Sequence, residues 1–441
     1  MQLKASWTGS QFENPKDLFH HFKNLVPIGI KAIHHPKEEY GQSLLELKEI
    51  LDYYIFLEKN ALFYSLYYKN LHQFKPFASG QLGVWQDDIE HPLTMPFLSL
   101  ITELKSNQKT ENSLNEIHQF YKKELSSDYK KVQLEYWFDQ VNPLYKCILL
   151  YGMIFVGMLL IWLGNLTRFK PLFYKLCILT FSIHTVSIVL RIIIQGRPPV
   201  TNLYSSAIFV GWAAILIALI LEKFNRRGIG TLISGLIGFL TLIIAHHLSL
   251  QGDSFHMLQA VLDSNFWLTT HVLTICLGYS AMFVAGFLGF LFIIKGIFTK
   301  KLMLEEQAHL QKMVLSILGF AMLFSTIGTI LGGIWADQSW GRFWGWDPKE
   351  NGAILIVLWI AIIFHSRILG ILKQKGLMIS VVFGNIITSF SWFGVNMLGV
   401  GLHSYGFMES ALVGLIAFIL IHMYIMAIGF IPKKYWKSTL K

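Results

Sequence analysis

Residues 335–351 read Trp335-Ala336-Asp337-Gln338-Ser339-Trp340-Gly341-Arg342-Phe343-Trp344-Gly345-Trp346-Asp347-Pro348-Lys349-Glu350-Asn351. Four tryptophans fall between positions 335 and 346, with a long apolar run on either side. A soluble core would spread such residues at helical or strand period. Here Gly341 and Gly345 interrupt them, which predicts a loop or a shallow re-entrant segment. Asp347-Pro348-Lys349-Glu350 then reads as a helix start. Asp347 can cap the free N–H groups, Pro348 fits the first helical position, and Glu350 can close a capping box. The loop is thus tied to the top of a helix and presents flat aromatic faces beside it. Such faces suit a large planar apolar ligand. They equally suit a tryptophan belt at a membrane interface, where the residue is enriched in any case.

The flanking runs decide the class. The chain of 441 residues is 53% hydrophobic and 15% charged, against roughly 25% charged in soluble domains. Apolar stretches of spanning length, about 20 residues each, fall at 145–164, 173–194, 205–222, 229–248, 268–294, 313–333, 351–371, 377–397 and 410–430. No alternating β-barrel pattern is present, so these are expected to be helices. The fold class is all-α and polytopic, with about nine transmembrane helices behind an extracytoplasmic α-rich or α/β domain at 1–144.

That first region carries Lys, Glu and Asn clusters and helix-like stretches at Ser43–Tyr68 and Asn112–Tyr129. None of it is long and apolar enough to span a bilayer. Met1–Asn14 is polar and offers no secretory leader. A domain of this size that lies outside is expected either to be drawn across by the first span or, the favoured reading, to mark this chain as the C-terminal piece of a longer or split protein.

The net charge of +10 does not point to nucleic acid, because most of it sits in short loops where it sets orientation. One set of loops holds Arg168/Lys170/Lys175, Lys223/Arg226/Arg227, Lys295/Lys300/Lys301/Lys312 and Arg367/Lys373/Lys375, and the tail 431–441 holds Lys433/Lys434/Lys437/Lys441. The other set (Gln195–Ser206, Leu250–Trp267, the tryptophan loop and Asn396–Glu409) is poor in Lys and Arg. The first set is expected to be cytoplasmic and the second to lie outside. Cys147, Cys177 and Cys276 are the three cysteines. None forms C-x-x-C, which excludes a thioredoxin-like dithiol, a zinc ribbon and a covalently bound c-type haem on this chain.

Ionisable groups at membrane depth or at its faces are functional candidates because burying them is costly. His271 opens the fifth run at the outer face, and His403 lies in the last outer loop. The tryptophan loop falls between them on the same side. Two imidazoles flanking an aromatic platform suit the axial positions of a haem iron; hydrated interfacial histidines are the plainer reading. His365 sits in the seventh run toward the cytoplasmic side. His184 lies near the middle of the second run and is expected to be neutral and hydrogen-bonded. These two are read as the histidines deep in spans. Arg191 and Arg197, beside the loop Gly196-Arg197-Pro198-Pro199-Val200-Thr201-Asn202-Leu203-Tyr204-Ser205-Ser206, could meet haem propionates. Asn202 is grouped with Arg197 as a cofactor-binding candidate, and Asn202 or Ser205 could cap the next helix.

At this point the motifs resemble a family. Trp340-Gly341-Arg342-Phe343-Trp344-Gly345-Trp346-Asp347-Pro348-Lys349-Glu350, after Trp335-Ala336, is similar to the WWD motif of the haem-handling proteins CcsA, CcmC and CcmF. Residues 196–206, 266–272 (Phe-Trp-Leu-Thr-Thr-His-Val) and 401–406 (Gly-Leu-His-Ser-Tyr-Gly) resemble CcsA or the C-terminal half of fused CcsBA. Phe364-His365-Ser366-Arg367 fits as well. The resemblance covers about 145–430. It implies a cytochrome c synthase of system II, which moves haem b outward and joins its vinyl groups to a C-x-x-C-H motif of apocytochrome c. By the same resemblance, His271 and His403 are external axial ligands and His365 is an intramembrane ligand. The haem platform is then Trp335, Trp340, Gly341, Arg342, Phe343, Trp344, Trp346 and Asp347. The family's other intramembrane histidine belongs to CcsB, so a CcsB-type membrane subunit is an implied partner, with His184 a weaker local candidate. Residence in the lipid of a bacterial inner membrane follows, with the C-terminus cytoplasmic. The alternative is a haem transporter or chaperone of the CcmC kind, without thioether chemistry. A b-type cytochrome would want facing histidine pairs within the bilayer, and a solute transporter would want broken inverted repeats; neither pattern is evident.

Overall fold

The structure, a computed structural model, describes residues 111–124, 129–249, 264–300, 302–398 and 409–438. The chain divides into two compact units at Lys130/Lys131. From the first unit a single helix is described, α1 (Glu111–Glu124), with Lys122 and Lys123 in its last turn. In the second unit the described residues form helices and no strand. They are α2 (Tyr129–Val141), α3 (Pro143–Leu163), α4 (Lys170–Gln195), α5 (Leu203–Asn225), α6 (Ile229–Ser249), α7 (Leu273–Phe298), α8 (Leu304–Trp340), α9 (Pro348–Ile368), α10 (Gln374–Trp392) and α11 (Glu409–Phe430).

Local chemistry sets the breaks. Asn142 adopts a left-handed backbone (φ 42°) between α2 and α3, with Pro143 at the first position of α3. Gly196 (φ 64°) stops α4. Asn202 then caps α5 in a reciprocal box with Ser205, as its sequence suggests. Arg226 (φ 49°) ends α5, and the Glu222 carboxylate accepts the Gly228 and Gly230 N–H groups at 2.7 and 2.8 Å. That bond pair satisfies donors that the following helix would otherwise leave open.

The helices pack as two groups. α3 to α6 form one, with α5 on α6 and α3 on α6; α7 to α11 form the other, with α7 on α8 and on α10. α5 against α7 joins them, and the Ser280 hydroxyl donates to Val210 O across that seam at 3.0 Å. The loops sort to two ends. At one, Arg227 pairs with Glu305 at 2.9 Å, Lys433 donates to Gln307 and Gln374, and Lys375 reaches Phe430 O. Residues 433–438 are no loose tail, since Trp436 is buried and the Ser438 N–H bonds Gly296 O at 3.1 Å. This end gathers the basic segments. The other holds the Pro-Pro loop, the start of the fifth span and the tryptophan segment.

Among the described residues, eight helical stretches are long and apolar enough to cross a membrane, so the protein is a multi-pass membrane protein. The eighth apolar run, expected at 377–397, forms α10 but is not among the eight. It still runs from the basic end, where Lys375 lies, to the other end, where the Trp392 carbonyl meets Lys349. Its Asn385, Thr388, Ser389 and Ser391 are all buried between neighbours. A helix enclosed by protein needs less apolar surface than one facing lipid. The first span is longer than expected, reaching back to Lys130 through α2.

Candidate functional site

The tryptophan segment is helical for longer than its glycines suggest. Nothing breaks α8 until Gly341 (φ 68°), so Trp335 and Trp340 stand on the last turns of a 37-residue helix. At 1.5 Å per residue that helix is about 55 Å long. The loop proper is 341–347. The Phe343 ring turns back onto Gly333, where a Cβ would come within 2.7 Å of it. The Arg342 guanidinium lies across Gly345, so a side chain there would have to displace it. Arg342 pairs with Glu350 at 3.3 Å. The same carboxylate accepts the Gly345 and Asp347 N–H groups at 2.8 and 3.1 Å, and Asp347 accepts the Lys349 N–H at 2.9 Å. The capping box is formed. Trp346 takes a left-handed backbone (φ 58°), held by Asn351 donating to its carbonyl at 2.9 Å.

His271 reaches this segment from the fifth span. Residues Leu268–Val272 form a π turn ahead of α7; such turns re-aim side chains and recur at functional sites. Gly328 and Gly332, one turn apart on α8, let the backbones close in. A Cβ on Gly328 would meet the Ile275 backbone at 2.9 Å, and one on Gly332 would meet the His271 ring at 2.6 Å. This small-xxx-small spacing is a common device for close helix contact in membranes. The closeness lets His271 Nδ1 donate to Gly328 O at 2.8 Å. With the proton held on Nδ1, the lone pair is on Nε2, the arrangement a metal-ligating histidine needs. The ring stands edge-on to Trp335 at 5.7 Å. Trp335 stacks on Trp267 at 6.4 Å and 13°, and Trp267 Nε1 donates to Gln338 at 2.9 Å.

Together these residues bound a cleft with about 1110 Å³ of empty space, counted to its open mouth. Among the residues lining it are Asn202, His271, Trp335, Trp340, Trp344, Lys349, Glu350 and Trp392. Cys276 and Tyr279 also line it; they follow His271 along α7, so the cleft runs into the bundle. Trp392 Nε1 donates to the Ser206 hydroxyl at 3.0 Å, which ties the far wall to the Pro-Pro loop.

Not every expected residue lies here. Trp346 and Phe343 are 73% and 49% exposed and do not line the cleft. Gly341, Arg342 and Asp347 build the loop beside the cleft rather than its wall. Arg197 is half-buried outside it, and Arg191 is buried with its guanidinium 4.7 Å from the Tyr204 ring, lining a second cavity. His365 is exposed in the last turn of α9, its Nδ1 donating to Ala361 O at 2.8 Å. It lies sixteen residues, roughly 24 Å along the helix, from Lys349. His184 is fully buried, edge-on to Tyr151 at 6.1 Å and within reach of the Ile208 backbone. His403 and its Gly401–Gly406 segment lie outside the described residues. Reading His184 and His365 as the histidines deep in spans also needs correction. His422, in α11, is buried beneath Phe418 with its Nε2 3.3 Å from the Asn385 amide. Its sequence signal was the pair of polar residues in two apolar runs, since such groups seek each other in a membrane. Trp267, Lys349 and Glu350 were likewise not picked as site residues, although each stands inside a quoted motif. The three cysteines are free and buried.

Fold and cleft define a multi-pass helical membrane protein with a histidine-bearing aromatic cleft at one end. Residues 200–403 match the family model described as cytochrome C assembly protein. The chain is 31% identical over 254 residues to the cytochrome c biogenesis protein CcsA of Synechococcus sp., covering 50% of this chain and 82% of that one. It is 32% identical over 223 residues to CcsA of Chlamydomonas reinhardtii, covering 48% and 62%. It is 35% identical over 249 residues to Protein NrfI of Wolinella succinogenes, covering 54% of this chain and 26% of that longer one. The chain thus spans under two thirds of these last two relatives. It belongs to the CcsA family of cytochrome c biogenesis proteins.

Proposed function

We propose that this protein binds haem b in the cleft and joins it covalently to the C-x-x-C-H segment of an apocytochrome c. The observation that carries the reading is His271: its Nδ1 is locked on Gly328 O, and it lines a cleft walled by Trp335, Trp340 and Trp344. Stacked and edge-on aromatic faces suit a flat macrocycle, and an imidazole with its lone pair on Nε2 suits its iron.

Haem is the substrate here, and its vinyl groups carry the reactivity. In each addition a cysteine S–H crosses a vinyl C=C: a C–S bond forms, the hydrogen goes to the other vinyl carbon, and nothing leaves. The chain's share is positioning. Trp335 is held by Trp267, and Trp267 by Gln338, so that wall is rigid. His271 holds one axial position, and His403 is proposed for the other. The histidine of the apocytochrome then displaces one of them and brings its thiols over the vinyls.

His365, at the basic end, is proposed to work at a haem-uptake site whose second ligand comes from a CcsB-type subunit. The gathering of Lys and Arg at that end supports a cytoplasmic orientation for it and for the C-terminus, with the cleft outside and the protein in a bacterial inner membrane. The test is maturation of a reporter cytochrome. His271→Ala abolishes covalent haem attachment, and added imidazole restores part of it. A variant lacking both His271 and His403 that still matures the reporter without imidazole overturns the proposal. Haem binding with handover but no thioether would leave a transporter of the CcmC kind.

A further inference from the structure

We infer that Lys349 is the propionate-holding residue of the cleft: its ammonium takes a carboxylate of the bound porphyrin and so fixes which edge of the ring faces the mouth. The inference rests on the haem reading above and adds an orientation to it.

A metalloporphyrin such as haem has an apolar edge and an edge with two carboxylates. Aromatic walls satisfy the first and penalise the second, since a carboxylate taken from water without a partner is costly. Among the described residues lining the cleft, Lys349 is the one lysine or arginine and Glu350 the one carboxylate. Glu350 is committed to Arg342 and to the Gly345 and Asp347 N–H groups. It is the tie of the loop and has the wrong sign for a carboxylate. Lys349 has the right sign. Its Nζ donates to Trp392 O at 2.6 Å, a neutral acceptor that uses one of three ammonium hydrogens and does not neutralise the charge. Asp347 acts on it electrostatically, but that carboxylate is engaged in capping α9.

The position of Lys349 is also built. Trp392, which holds it, is anchored through Ser206 to the first turn of α5, where the Ser206 hydroxyl bonds Leu203 O at 2.7 Å. Lys349 and Cys276 line the same cleft, and Cys276 is five residues past His271 along the chain. That is a rise of roughly 7.5 Å, the scale on which a porphyrin's carboxylates stand off from its metal. One residue for the metal and one for the carboxylate then define the ring's rotation, and the vinyl edge is left toward the mouth, where an incoming thiol arrives.

The experiment titrates the full chain in detergent with iron protoporphyrin IX and with its dimethyl ester, followed by absorption. The wild-type protein is expected to prefer the free acid by roughly ten- to a hundred-fold, the range of one charge-assisted hydrogen bond. Lys349→Met is expected to bind both forms within about two-fold of each other, and Lys349→Arg to keep most of the preference. Retained binding of the ester by Lys349→Met shows that the cleft is intact, which a merely structural helix-end contact to Trp392 would not combine with lost discrimination. Equal preference in wild type and Lys349→Met overturns the inference and leaves the haem site standing. Failure of the wild-type chain to take up either porphyrin overturns both.

Discussion

Gly332 is the sharpest test of how the cleft holds His271. In Gly332→Ala the new Cβ would lie 2.6 Å from His271 Cε1, 3.1 Å from Nδ1 and 3.3 Å from Nε2, where an ordinary contact begins at 3.4 Å. The ring must therefore retreat by about 0.8 Å, the difference between 3.4 and 2.6 Å. It is pinned on the same helix by the 2.8 Å bond from Nδ1 to Gly328 O. A retreat of that size directed away from α8 stretches the bond to about 3.6 Å, which is no longer a hydrogen bond. Overpacking costs about 1–3 kcal/mol and the lost bond about 1 kcal/mol more. Gly319→Ala is the control, because a Cβ there meets nothing within 4 Å; it is expected to be neutral or slightly stabilising, as Ala is the better helix former. The assay is the absorption spectrum of the haem-loaded chain together with its thermal unfolding in detergent. Gly332→Ala is expected to lose low-spin haem and regain it with added imidazole, while Gly319→Ala keeps it. A Gly332→Ala protein with wild-type spectrum, affinity and unfolding midpoint refutes the account of how His271 is held.

Three further outcomes follow from named contacts. Glu350→Ala removes the acceptor of Arg342 and of the Gly345 and Asp347 N–H groups, so the loop 341–346 is expected to become a protease target with a loss of roughly 2–4 kcal/mol; unchanged cleavage argues against that tie. Lys295 and Glu306 pair with both side chains 13% exposed. Lys295→Ala should cost roughly 3–5 kcal/mol by stranding the carboxylate, and the double change Lys295→Met with Glu306→Leu should recover most of it; equal unfolding midpoints for single and double variants would contradict this. His184→Phe fills the same space edge-on to Tyr151 without placing two ring nitrogens in the core. It is expected to hold or raise the unfolding midpoint and leave haem content unchanged; a loss of haem would make His184 a ligand instead.

The polypeptide chain by itself determined the class and the two ends. Apolar length specifies spans because a membrane leaves no other partner for the backbone, and the Lys and Arg of the short loops sort with one end of the bundle. Asn202 with Ser205 and Asp347 with Glu350 were legible as caps, since capping is local and its spacing is fixed by the first helical turn. Several features belong to tertiary structure alone. Trp335 and Trp346 sit in one motif, yet one is buried against Trp267 and the other faces outward; only packing separates them. Gly328 and Gly332 look like ordinary membrane-helix glycines until His271 is placed on them. Asn385 lowers the apolarity of α10 and reads as a flaw in a span until His422, thirty-seven residues on, meets it inside the bundle. Lys349 reads as a capping-turn residue until Trp392 and the cleft are set around it. In each case the deciding contact joins residues far apart in sequence, and no local spacing encodes it.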